Sequence, residues 1–190
     1  MVGTDPLVVD QLLTGGELRC PGCGGELRPW GYARGRGVRE EQAIVVSHPR
    51  RSSCSRCRCT HVLLPAWMLV RRADAVVVIG AALLAKAAGV GHRRIAVVSG
   101  RPVSTVRGWL RRFADRAESV RVVFTGLLHV LDPGVGAVTP TGSVFADALD
   151  VLGLAAAAAT RLFGPRPAWK FAASASGGLL LGPGRAANTS

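Results

Sequence analysis

Two pairs of cysteines carry the clearest chemistry in the chain. Cys20-Pro-Gly-Cys23 and Cys54-Ser-Arg-Cys57 each separate two thiols by two residues, so both sulfurs of a pair can reach one ion. Gly24 and Gly25 follow the first pair and let the backbone turn tightly, with amides aimed at sulfur. Four thiolates form a closed tetrahedral set, which suits a structural Zn2+ and leaves no open position for a catalytic water. Cys20, Cys23, Cys54 and Cys57 are therefore the expected ligands. Cys59 and His61 are the runners-up for the fourth place; Cys57 is preferred because it repeats the spacing of the first pair. Buried apolar cysteines or a redox dithiol would not require two matched pairs. An ion held this way contributes on the order of 10 kcal/mol of folding free energy to a small module.

A second chemistry lies between Gly91 and Ala117. Ala96 is small where two helices must approach closely, and Gly100 follows four residues later where a turn needs positive φ. Val106 and Trp109 then supply apolar side chains to the second helix. Val103, Val106, Leu110, Phe113 and Ala117 make one apolar stripe, while Ser104, Arg107, Gly108 and Arg111 make a separate stripe without a carboxylate. This pattern is that of a helix-turn-helix, whose second helix enters a DNA major groove. On that reading Arg107 is the best candidate for a bidentate guanine contact, with Ser104 and Arg111 also at base edges. Arg101, Arg112 and Arg116 would hold phosphates, and Arg93 and Arg94 would add phosphate contacts at the start of the preceding helix. Val103 and Thr105 lie in the same DNA-facing first turn. Around the cysteines, Arg34, Arg36, Arg50, Arg51, Arg56 and Arg58 would extend the footprint, whereas Trp30 and Tyr32 suit packing of a hairpin better than base stacking.

Charge agrees with an anionic partner. The net charge is +12, and residues 1–121 hold 20 basic and 9 acidic side chains against 4 and 3 in residues 122–190. The basic set is 22 Arg with Lys86 and Lys170; the planar guanidinium fork suits phosphate and guanine. There is no carboxylate cluster, Ser/His/Asp grouping or phosphate loop, so no enzyme is expected. The start MVGTDPLVVDQLL lacks a basic n-region, and the apolar run from Ala75 to Ala85 is too short to span a bilayer. The expectation is a cytoplasmic, nucleoid-associated protein without a membrane partner, in a compartment where thiols bind metal rather than form disulfides.

These groups need elements to position them. Residues 1–17 form an N-terminal segment with a short helix around Val8 to Leu13. Residues 18–64 form a zinc ribbon, with strands Leu27 to Ala33 and Gln42 to Ser47 joined by the turn Arg34-Gly35-Arg36-Gly37. Residues 65–121 form the DNA-binding domain. Its first helix is capped by Asp74 and runs to about Ala88, burying Val76, Ile79, Leu83 and Ala87. Two helices, Val120 to Leu131 and Val144 to Phe163, supply the C-terminal helical region assigned to residues 122–163, and residues 164–190 form a flexible tail. The expected fold is mainly α with a small β zinc ribbon, then a three-helix unit and C-terminal helices.

Cys20-Pro-Gly-Cys23, the Arg-rich second knuckle and the nearby helix pair resemble the N-terminal DNA-binding module of insertion-sequence transposases. The longer string resembles an uncharacterised bacterial family of ribbon and helix-turn-helix proteins associated with mobile elements. It includes Thr60-His-Val-Leu-Leu-Pro65, Arg71-Arg72-Ala-Asp74, Gly91-His-Arg-Arg-Ile-Ala96 and Ser104-Thr-Val-Arg-Gly-Trp109. The resemblance implies zinc at the four cysteines, and duplex DNA contact from the helix starting near Val103. It makes the chain an accessory or end-recognition protein in transposition. A separate transposase or recombinase and a second copy of the chain are the candidate protein partners. Two departures stand out: Pro102 replaces a capping Ser or Thr, and residues 122–190 offer only Asp132, Asp147 and Asp150, too little for a nuclease core. An autonomous transcriptional regulator, with residues 122–163 as a dimerisation unit, is the alternative.

Overall fold

Alternating and β-branched runs in the first third, and alanine-rich periodic runs after it, divide the chain into a β half and an α half. In the computed structural model, which describes residues 6–182, they form two small antiparallel sheets and seven helices, a mixed α/β fold. Residues 1–5 and 183–190 lie outside the described set, so the opening of the supposed non-secretory start and the last part of the expected tail rest on sequence alone.

Helix α1 (Pro6–Thr14) lays Val9 and Leu13 on Cys20, Leu27, Cys54 and Leu63, a small core separate from the main one. Strands β1 (Leu27–Tyr32), β2 (Arg36–Arg39), β3 (Ile44–Ser47), β4 (Arg50–Cys54) and β5 (Thr60–Leu63) follow. One sheet has the order β1-β4-β5 and the other pairs β2 with β3. The register runs Leu27↔Cys54 to Tyr32↔Arg50, then through Ala33 N–H to Pro49 O (2.7 Å), then from Arg36↔Ser47 to Arg39↔Ile44. The two sheets are thus joined by one long, broken hairpin whose distal half, an arm made by β2 and β3, reaches the main core through Val38.

This corrects the expected turn at Arg34–Gly37. Arg36 and Gly37 lie in β2, and the chain reverses at Glu40–Ala43, closed by Glu40 N–H to Ala43 O at 2.8 Å. Burial decides the matter: Val38 is fully buried in the main core and holds β2 extended, while the polar Glu40-Glu41-Gln42 run is left for the turn.

Helices α2 (Val76–Ala87), α3 (His92–Ser99) and α4 (Val103–Ala114) form the central unit. Val76, Ile79 and Leu83 are buried as the periodicity requires, but Ala87 is exposed at the C-terminal end. Asp74 does not cap α2. The N-cap is Ala75 without a side-chain hydrogen bond, because the Asp74 carboxylate is drawn to two arginines. Gly100 has φ 62° at the end of α3, the left-handed conformation that the turn needs. In α4, Val106, Trp109, Leu110 and Phe113 are buried. Val103 departs from the stripe at 42% exposed, and Ala117 begins α5 (Ala117–Leu131) after a break at Asp115–Arg116.

Helix α5 pairs with α6 (Val144–Phe163), whose first turn is capped by the Ser143 hydroxyl accepting from Ala146 N–H. Phe113 of α4 meets Phe145 of α6 edge to face at 4.8 Å. Residues 164–182, expected within a flexible tail, are packed instead. Here α7 (Ala168–Ala175) buries Ala172 and Ala173, and Leu180 and Leu181 follow it into the core. Gly80 of α2 makes room for Trp169, since a Cβ at Gly80 would lie 2.0 Å from its ring. One core therefore runs from Val38 to Leu181, across the expected boundaries at residues 121 and 163. No helix among the described residues is long and apolar enough to cross a membrane.

Candidate metal centre and cationic helix face

The two cysteine pairs sit on the same local turn. Cys20 N–H donates to Gly25 O (2.7 Å) and Gly24 N–H to Cys20 O (2.9 Å); Cys54 N–H donates to Cys59 O (2.9 Å) and Arg58 N–H to Cys54 O (3.1 Å). Residue 5 of each turn is left-handed, Gly24 at φ 70° and Arg58 at φ 63°. Nothing in the sequence marks Arg58 for that conformation; only the repeated turn imposes it. Pairing of Leu27 with Cys54 across β1 and β4 then brings the turns face to face.

The Sγ atoms of Cys20, Cys23, Cys54 and Cys57 all lie within 4.8 Å of one another. Cys20 and Cys57 are 3.7 Å apart and Cys23 and Cys54 3.4 Å. A tetrahedral set at the zinc–thiolate distance of about 2.3 Å has sulfurs about 3.8 Å apart, so these residues fit such an ion. The amides of Arg56 and Cys57 point at Cys54 Sγ (3.4 and 3.5 Å). The Cys54 thiol falls to about 6, led by the Cys57 N–H and helped by that of Arg56. For Cys57 the Cys59 N–H acts to lower the value, but the side-chain hydrogen bonds to Cys23 and Cys54 and desolvation push it up to about 12. Clustered thiols resist joint ionisation, and a cation among them would remove that conflict. Gly25 is a cradle: a Cβ there would lie 2.9 Å from Cys54 Sγ and 2.7 Å from Arg56 Cβ.

The runners-up lie beside the four clustered cysteines rather than among them. Cys59 is exposed and is not one of the four clustered residues, although its N–H and its side chain both act on Cys57. His61 on β5 places Nε2 3.4 Å from Cys20 Sγ, beside a ligand rather than among the four.

On α4, Ser104, Arg107 and Arg111 are exposed, with Val103 beside them; Thr105, Gly108 and Arg112 are half-buried. Arg112 donates to Gly108 O at 3.2 Å and packs its guanidinium along the helix. Arg93 and Arg94 are exposed at the start of α3, and Arg116 is half-buried at the α4–α5 junction. Arg101 is different. Its side chain is only 10% exposed, with Nε 2.7 Å from Asp74 Oδ1, Nη2 donating to Glu40 O (2.6 Å) and Nη1 to Ser99 O (3.1 Å). Asp74, 2% exposed, also takes Arg39 through Nε (3.0 Å) and Nη2 (2.7 Å). Arg101 is thus no phosphate contact; it ties the α3–α4 turn to the hairpin arm. Of the arginines near the cysteines, Arg50 is held by Asp10 and lies over the Tyr32 ring at 4.4 Å. Arg56 reaches Cys23 O at 3.3 Å, and Arg36 is half-buried, with burial lowering its pKa. Trp30 is exposed.

Compared with family models, curated proteins and solved structures, the chain matches none.

Proposed function

We propose that the chain binds duplex DNA sequence-specifically through α4, with a structural Zn2+ held by Cys20, Cys23, Cys54 and Cys57. What carries the reading is the division of α4 into two faces. Val106, Trp109, Leu110 and Phe113 are buried, while Ser104, Arg107 and Arg111 are exposed on the other side, with no carboxylate partner among the described residues. Such a face on a helix that follows a left-handed glycine turn supports reading α4 as the recognition half of a helix-turn-helix. Arg107 reads guanine, Ser104 and Arg111 flank it, and Arg93 and Arg94 take phosphates near the α3 N-terminus. Asp74 and Arg101 set the angle between turn and arm, so they act on binding without touching DNA. The zinc ion supplies four strong bonds that hold the ribbon folded. The resemblance of the cysteine knuckle and helix pair to transposase DNA-binding modules supports an accessory or end-recognition role in transposition, beside a separate transposase.

The test is selection of bound sequences from random duplex DNA, repeated with Arg107→Ala. Wild type is expected to enrich one site, and the variant to relax preference at one base pair by about 1–3 kcal/mol with overall affinity largely kept. No enrichment by the metal-loaded wild type would overturn the reading.

A further inference from the structure

The arm formed by β2 and β3 has one covered edge and one open edge. On β2, Arg39 N–H donates to Ala73 O (2.8 Å) and Arg39 O accepts from Ala75 N–H (2.9 Å), so that edge is occupied at Arg39. Arg39 is partnered with Ile44, and its N–H and C=O point away from β3. In an antiparallel ladder the partner's groups then also point outward, and so do those two residues on. The backbone groups of Ile44 and Val46 therefore face out from β3, and among the described residues no backbone partner meets them. The side chains on this strand are β-branched and exposed, Ile44 at 68% and Val46 at 63%. Residues 44–47 contain no proline, no charge and no bulge, three of the devices that protect edge strands.

The charges flanking β3 identify what fits. Glu40 and Glu41 precede it, and His48 and Arg51 follow it, Arg50 being already held by Asp10. An antiparallel neighbour with the same sequence would set the acidic end of each strand against the basic end of the other, whereas parallel pairing would oppose like charges. We propose that a second copy of the chain pairs antiparallel along β3, Ile44 opposite the other copy's Val46, with Val45 on the two-fold axis. About four inter-chain backbone hydrogen bonds follow from that register. Two arms then make a four-stranded sheet, an isologous C2 contact. The contact needs no DNA.

Sedimentation equilibrium of the full metal-loaded chain, without DNA, tests this. Wild type is expected to be a dimer at micromolar concentration. Val46→Pro removes an N–H that β2 does not use, and is expected to raise the dimer dissociation constant at least about tenfold with metal content and circular dichroism unchanged. Ile44→Lys, at an exposed side chain, is expected to do the same and decides the matter if the proline variant does not fold. A monomeric wild type at about 100 μM, or a dimer that survives Ile44→Lys with fold and metal intact, overturns the proposal. Either result leaves the DNA reading standing, since the selection experiment reads α4 alone.

Discussion

Replacing Asp74 with alanine is expected to damage the protein out of proportion to the size of the side chain. Asp74 is 2% exposed and binds two guanidiniums, Arg39 from strand β2 and Arg101 from the turn between α3 and α4. Arg101, 10% exposed, would be left as a buried charge, and breaking a buried pair in this way typically destabilises by about 3–5 kcal/mol. Arg39 is 38% exposed and is screened by water, so its share is at most about 1 kcal/mol. The carbonyls of Glu40 and Ser99 remain for Arg101 and hold the loss near the lower figure, about 3 kcal/mol. For a chain of this length that corresponds to a fall in Tm of roughly 6–12 °C. Urea denaturation of metal-loaded protein, followed by circular dichroism, measures it. The decisive variant is Asp74→Ala combined with Arg101→Met, which removes the stranded charge and is expected to recover about half the loss or more. A loss below about 1 kcal/mol for Asp74→Ala, or strict additivity of the two changes, would refute the reasoning. The same variant is expected to weaken duplex binding, because the turn before α4 loses its tie to the arm.

Three further outcomes follow from local geometry. Cys57→Ser is expected to abolish stoichiometric metal while Cys59→Ser retains it, measured by elemental analysis after gel filtration; retention by Cys57→Ser would move the fourth ligand elsewhere. Arg58→Gly is expected to stabilise the metal-loaded fold by about 1 kcal/mol in denaturant titration, because φ 63° strains any residue with a Cβ. Asp147 accepts hydrogen bonds from the Thr141 hydroxyl and N–H, which hold its pKa below the ordinary 3.8. A lowered carboxylate pKa stabilises above the unfolded value and is lost as pH falls through the folded one. Asp147→Ala is therefore expected to lower Tm at pH 7 and to converge with wild type as the pH drops below about 4, and a pH-independent difference would contradict it.

The four clustered cysteines were legible in the chain because C-x2-C spacing is a local constraint, and so was the α3–α4 turn, since only glycine enters φ 62° cheaply. Helix faces were legible where periodicity was strong, as at Val106, Leu110 and Phe113. What the chain alone did not determine was where its hairpin reverses, which arginines are free and where its core ends. Arg34–Gly37 has the composition of a turn, yet burial of Val38 makes Arg36 and Gly37 strand. Arg101 and Arg107 are indistinguishable as residue types; one meets a buried carboxylate 27 residues away and the other meets solvent. The Gly- and Pro-rich stretch after Phe163 reads as a tail until Trp169 finds the gap at Gly80. Each of these depends on a partner distant in sequence, and local pattern carries information only about neighbours along the chain.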